Sequence, residues 1–494
     1  MHLVDLIVIL VYFALTIGVG LWVTRSQKTA GDYFLGARDL PAWGVLLSIV
    51  ATETSALTVI SIPGVGARGD LTFLQLAFGY LVGRILVARW LLPGYFKGEQ
   101  ETAYARLENR FGVGTRRLIS ACFLVTRFLG DGVRVFAGAI PLALVTGWSI
   151  PTAILAMGIV TLVYTYAGGL KAVVWADVIQ LGVYLSGGVA ALIIAANLAG
   201  GFGPALELAG AEGKLRMFNF SLSLSTPYTI LGGLIGGAML SAASHGTDHL
   251  IVQRLLATRS LGDARRALIG SGFVVILQFL LFLLVGVVIW SGGLAPQELA
   301  GDQIFPQFII TRLPSGLGGL LVAGILAAAM STIASSINAL ASSVTHDFYV
   351  SLTGKRDPAH LLRVGRGFSA FWGLGLIVCA LGFYRYASGA DTPVVVLALS
   401  IASITYGALL GTYILGGRWP RATGPDAVIA TLVTLVVMLI VVFARRISAA
   451  AGLGWLAPVG DLAWPWYVPL GTVLTILIGV GSSLVRGRLS RVRA

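Results

Sequence analysis

The sequence predicts an all-α polytopic membrane protein, and three observations carry that prediction. Of its 494 residues 57% are hydrophobic and 11% charged, where soluble globular chains carry about 25% charged residues. Apolar runs recur from one end of the chain to the other, each near the length of about 20 residues that crosses a hydrocarbon core as a helix. Short alternating strands, the mark of a membrane barrel, do not occur in the sequence. That leaves helices, which satisfy their own backbone hydrogen bonds in lipid.

Runs bounded by charge, proline or glycine mark thirteen spans, near 2–24, 41–65, 71–95, 117–145, 149–168, 172–199, 226–252, 264–292, 314–347, 362–386, 393–416, 425–447 and 463–485. An odd number puts the termini on opposite sides. Of the 34 lysines and arginines, twenty-three fall in segments on one side and seven on the other. Basic loops stay inside, so the N-terminus is expected outside and the C-terminus in the cytoplasm of a plasma membrane, in a bacterium the inner membrane. The net charge of +13 is spread through these short segments, which argues against a nucleic-acid surface and for orientation signals. Residues 97–116 read as a short cytoplasmic amphipathic helix, and 200–225 and 293–313 as external loops.

The first span opens MHLVDLIVIL, without a basic leader or a small-residue cleavage site, and is expected to remain as a helix. The second carries Thr52, Glu53, Thr54 and Ser55 in succession at its middle. A carboxylate at that depth costs several kcal/mol unless paired or hydrated, and four consecutive polar side chains cannot all turn away from lipid. An interrupted helix with carbonyls lining a cavity is expected.

The fourth span carries Arg127, Asp131 and Arg134 on one helical face. Pairing Asp131 with one arginine leaves a guanidinium over, and its fork matches a carboxylate. Snorkelling or helix-to-helix pairing is the competing reading. The two cysteines, Cys122 and Cys379, lie inside apolar runs, so no disulfide framework is expected.

The seventh span has a weak Gly/Ser-rich middle. Spans two to six and seven to eleven then form two groups of five, each opening with a weak helix, and five is odd, so the second group is inverted. Paired interrupted helices in inverted halves point to a midplane binding site. In the ninth span Ala328, Ser331, Thr332 and Ser335 share a face. Their oxygens suit a hard monovalent cation, or the residues serve only as small packing groups.

Three segments carry a family resemblance: TYAGGLKAVVWADVIQ at 165–180, GTDHLIVQRLLATRS at 246–260 and YFLGARDLP at 33–41. By these the chain resembles the sodium/solute symporters, closest to the subgroup carrying monocarboxylates, vitamins and iodide. The resemblance implies a LeuT-like core: a peripheral first helix and loop in 1–40, a first five-helix repeat in 41–199, an external loop in 200–225, an inverted repeat in 226–416, and two peripheral helices with a basic tail in 417–494.

It also implies a sodium ion held by carbonyls of Ala51 and Thr54 with Ala328, Ser331 and Thr332. Some members hold a second sodium, here matching Asp177, Ser331 and Ser335, with Ala334 where a further hydroxyl can occur. Glu53 stands where the family's proline carriers have a carboxylate. The expected function is sodium-coupled import of a small, anionic organic solute (monocarboxylate, sugar acid or vitamin) by alternating access. The solute would bind beside Thr52, Glu53 and Ser55, with Gln75, Arg127 and Arg134 opposite. The expected partners are solute, sodium and lipid, with no nucleic acid and no obligate protein.

A proton-coupled carrier of the same fold and a membrane sensor are the rival readings. An oxidoreductase is disfavoured, because His2, His245, His249, His346 and His360 offer no pair across two spans for a haem.

Overall fold

The computed structural model describes residues 3–23, 34, 38–54, 56–97, 102–387 and 394–492. Their regular elements are all helical. In chain order these are α1 (Leu3–Val23), α2 (Ala42–Glu53), α3 (Ala56–Arg68), α4 (Leu74–Leu86, carried on to Tyr95 through a wider π-helical turn), α5 (Ala105–Phe111), α6 (Val113–Thr146), α7 (Ile150–Leu198) and α8 (Phe202–Ala211). The second half holds α9 (Gly237–Gly246), α10 (His249–Leu256), α11 (Leu261–Ser291), α12 (Gly301–Arg312), α13 (Leu317–Ser343), α14 (Pro358–Ala387), α15 (Val394–Arg418), α16 (Gly424–Ala451) and α17 (Tyr467–Val492). Among the described residues each predicted span falls largely on helix. Among the described residues eight helices are long and apolar enough to cross a membrane, nine when the bent pair α2–α3 counts as one span. The expected external loops each contain a short helix, α8 and α12.

The second span breaks where its polar run falls. The Thr54 N–H closes the last turn of α2 on the Val50 carbonyl, and the axes of Ala42–Glu53 and Thr58–Arg68 differ by 59°. The seventh span breaks between α9 and α10, where the Asp248 side chain accepts from the Leu250 N–H and caps the new helix.

The fifth and sixth spans differ from expectation, since helical turns run on from Ile150 to Leu198, 49 residues. The two arms nonetheless pass α13 in opposite senses. Met157 and Ala329 close the space at Gly138, and Leu162 and Ile337 that at Gly373, whereas Val183 abuts Gly324 and Gly187 abuts Leu321. The chain therefore reverses between Leu162 and Asp177.

Among the interfaces made backbone to backbone are those of α3 with α11 and of α4 with α9. A side-chain carbon on Gly66 or Gly286 would collide with the carbonyl of Leu283 or Pro63, so α3 and α11 touch directly. One on Gly79 or Gly83 would collide with the carbonyl of Gly233 or Ala238, which fixes α4 against α9 and the turn before it. At the end of α3, Arg68 donates to the Leu299 carbonyl at 2.7 Å, and Lys214 to those of Ala67 and Gly69 at 2.9 and 3.0 Å.

Candidate functional site

The break in the second span faces α13. An α-helix leaves its last carbonyls without intrahelical partners, and the end of α2 at Glu53 puts the Ala51 carbonyl in its last turn. Ser331 and Thr332 lie 4% and 2% exposed on α13. Thr332 donates its hydroxyl proton to the Ala328 carbonyl at 3.0 Å and Ser331 donates to Asp177, so both keep oxygen lone pairs free. Buried carbonyl and hydroxyl oxygens are the donor set that a sodium ion takes, and these residues fit it. The Thr54 side chain is occupied elsewhere, donating to Gln278 Oε1 at 3.0 Å.

Asp177 belongs to a buried polar knot. Ser48 donates to its Oδ2 at 2.6 Å, and the Arg254 guanidinium lies 3.3 Å from the same oxygen. Arg254 also donates to Ser48 Oγ at 3.0 Å, to the Leu250 carbonyl at 3.0 Å and to Ser335 Oγ at 2.7 Å. Asp177, Ser331 and Ser335 are thus brought together as the resemblance implied, and the cation in contact with Asp177 and Ser335 is Arg254. The basic-residue count had placed Arg254 at the membrane surface; it is 0% exposed.

Beside the break lies a cavity of about 90 Å³ lined by Thr52, Glu53, Arg127, Arg134, His245 and Tyr406, among others. That is room for roughly six to nine waters. Three ion pairs stand in its wall. Glu53 bonds to Arg84, which is itself wholly buried. Arg127 Nε donates to Asp248 Oδ2 at 2.9 Å, with Nη2 at 2.8 Å, and Tyr406 donates to the same oxygen at 2.6 Å. Arg134 Nη1 donates to Asp131 Oδ1 at 2.8 Å, while Ser336 donates to Asp131 Oδ2 at 2.5 Å. The expected leftover guanidinium therefore has a counter-charge after all: Asp248, from the second broken helix, takes Arg127.

Arg134 still has something to offer. Its side chain is 21% exposed and its Nε is buried without a partner. Thr52 lines the cavity, its hydroxyl donating to the Ser48 carbonyl at 2.7 Å. Ser55 lies outside the described residues. Gln75 sits away from the cavity wall, its amide nitrogen donating to the carbonyls of Thr72 and Tyr228 at 3.0 and 3.1 Å and its oxygen accepting from the Asn219 N–H.

Arg84, His245, Asp248 and Arg254 were missed as site residues by the sequence reading. A signal existed for each. All four are ionisable groups in or beside weak spans, and such groups call for partners in a membrane.

The model of the sodium:solute symporter family matches residues 33–434. The chain belongs to that family. This symporter is 30% identical to the human sodium/iodide cotransporter over 83% of its own length and 64% of that protein's. It is 26% identical to the sodium/sialic acid symporter NanT of Aliivibrio fischeri over 96% of its own length and 91% of that protein's. With the human sodium-coupled monocarboxylate transporter 1 it shares 30% identity over 82% and 67%. The structure of a Na+-coupled sialic acid symporter in a substrate-bound outward-open state superposes on it with a TM-score of 0.86, 25% identity and 98% of each chain covered. A nucleobase-cation-symport-1 transporter shares the fold at a TM-score of 0.58. The expectation of a multi-pass, sodium-coupled transporter of this fold therefore holds.

Proposed function

We propose that the symporter imports one small carboxylated solute with one sodium ion by alternating access, its N-terminus outside and its C-terminus cytoplasmic. The observation that carries this reading is the Arg134 edge. With Nη1 on Asp131, Nε is buried without a hydrogen-bond partner, and the side chain, 21% exposed, lines the cavity. Nε and Nη2 are the two donors that match a carboxylate bidentately.

Charge balance supports the same reading. Glu53 with Arg84, Asp131 with Arg134, Asp248 with Arg127 and Asp177 with Arg254 are four pairs of opposite charge. A sodium ion at Ala51, Thr54, Ala328, Ser331 and Thr332 would be one positive charge without an answer in a low-dielectric interior, where an isolated ion is costly. A carboxylate on Arg134 supplies the answer, so ion and solute each favour entry of the other. Glu53, which would repel an anion if bare, is offset by Arg84.

Net charge movement tests the stoichiometry. In proteoliposomes, sodium-driven accumulation of labelled glycerate should need sodium rather than choline or a proton gradient. It should also be unchanged when the membrane potential is clamped. One further sodium per cycle would raise accumulation on the order of fiftyfold at 100 mV, and such a rise refutes the one-to-one reading.

A further inference from the structure

The cavity wall carries two unlike groups. Arg134 offers donors. Glu53, across the broken helix, offers an acceptor, and its geometry is specific. Its Oε2 is enclosed, bonded to Arg84 and 3.6 Å from His245 Nε2. His245 is 2% exposed; its Nδ1 lies 3.1 Å from the Ser241 carbonyl and 2.8 Å from the Ser244 hydroxyl, and its Nε2 3.6 Å from Glu53 Oε2. Among the described residues nothing donates to the other oxygen, Oε1, although Glu53 lines the cavity and its side chain is 16% exposed.

Pairing with Arg84 keeps Glu53 a carboxylate, which accepts hydrogen bonds and donates none. It therefore repels the acid end of a solute and welcomes a hydroxyl or an ammonium. Charge decides between those two. The walls already cancel, and one sodium leaves room for a net single negative charge, which a hydroxy acid has and an amino acid zwitterion lacks.

We propose that Glu53 is a specificity-determining residue that selects a small hydroxylated carboxylate, the solute carboxylate lying on the Arg134 guanidinium and a solute hydroxyl donating to Glu53 Oε1. Arg84 and His245 act as positioning residues, holding Oε2 so that Oε1 stays turned to the cavity. The proposal rests on the carboxylate reading above and narrows it. A plain monocarboxylate of the same size would leave Oε1 dehydrated and unanswered, and sites built for a substrate hydroxyl discriminate strongly against the analogue lacking it.

The test is calorimetric titration of the purified full-length symporter in sodium chloride with glycerate, butyrate, serine and glycerol, repeated in choline chloride. Glycerate should bind at least tenfold more tightly than butyrate and serine, and only in sodium. The glycerate-to-butyrate ratio should fall towards one in Glu53→Gln and be partly kept in Glu53→Asp. Butyrate binding as tightly as glycerate to the wild type overturns the proposal even where the variants fail to fold, and serine binding above glycerate overturns the charge argument. Glycerol binding while no carboxylate does overturns the carboxylate reading itself.

Discussion

Replacing Asp177 by asparagine separates a structural from an ion-binding role for the one acidic residue of the signature segment. Arg254 is 0% and Asp177 2% exposed, and Asp177 is the only carboxylate that Arg254 bonds among the described residues. Removing one partner of a buried pair costs about 3–5 kcal/mol, because the other charge is left unanswered. Domains are stable by only about 5–15 kcal/mol, so the single change should remove roughly a fifth or more of that margin. The introduced side chain would also turn an amide towards a guanidinium, donor against donor. Arg254→Gln in the same chain removes the stranded charge, and the double variant should recover most of the loss, a coupling well above the few tenths of a kcal/mol seen for independent sites. Thermal melting of detergent-purified protein, in sodium chloride and in choline chloride, measures both effects. A single variant that melts with the wild type but no longer gains stability from sodium would refute the reasoning and make Asp177 an ion ligand.

Three further outcomes are expected. Ser331→Ala and Thr332→Ala each remove one oxygen donor, and the sodium concentration for half-maximal uptake should rise on the order of tenfold while protein level holds; unchanged sodium dependence in both would reject the assignment. Arg134→Ala should weaken carboxylate binding by about 3 kcal/mol, the lower end for two charge-assisted hydrogen bonds, or roughly 150-fold, and Arg134→Lys should restore little because lysine lacks the fork. At the end of α3, burial alone would raise the Asp70 carboxyl, but the hydrogen bonds from Thr72 and the Arg216 guanidinium hold it below the usual carboxylate range. Its stabilisation is therefore present above the unfolded value near ~3.9 and lost as pH falls through the folded one. Asp70→Asn should lower the melting temperature at neutral pH by the equivalent of at most about 1 kcal/mol, a difference that fades as the pH is taken below about 4.

The break in the second span was legible because four polar residues in succession have no helical face to share, and Thr52 and Glu53 do meet the cavity. What could not be read was pairing across spans. Arg84 finds Glu53, Arg127 finds Asp248 and Arg254 finds Asp177 over separations of 31, 121 and 77 residues. Helical spacing predicts only neighbours three or four positions away, so it offered Asp131 to Arg127, where the closer partner comes from another helix. Gln75 misled for a similar reason. A polar residue within an apolar span suggests a solute contact, yet its amide is consumed by loop backbone at the end of α4. The sequence separates the fifth and sixth spans between 168 and 172, whereas the helical turns run through that stretch.

The glycine contacts between α3 and α11, and between α4 and α9, bear on which parts can move. Atoms already at touching distance through their main chains have no side chains to re-rotamer, so sliding one helix past the other would drive carbonyls into each other. These helices travel together or not at all. The contacts around Asp131, Asp177 and Arg254, between α6, α10 and α13, are of another kind, made of hydroxyls and guanidinium groups that can exchange one partner for another or for water. A carrier assembled this way has its joints where the chemistry is polar and its plates where the chain is bare, and the proposed sodium and solute donors lie along the joints.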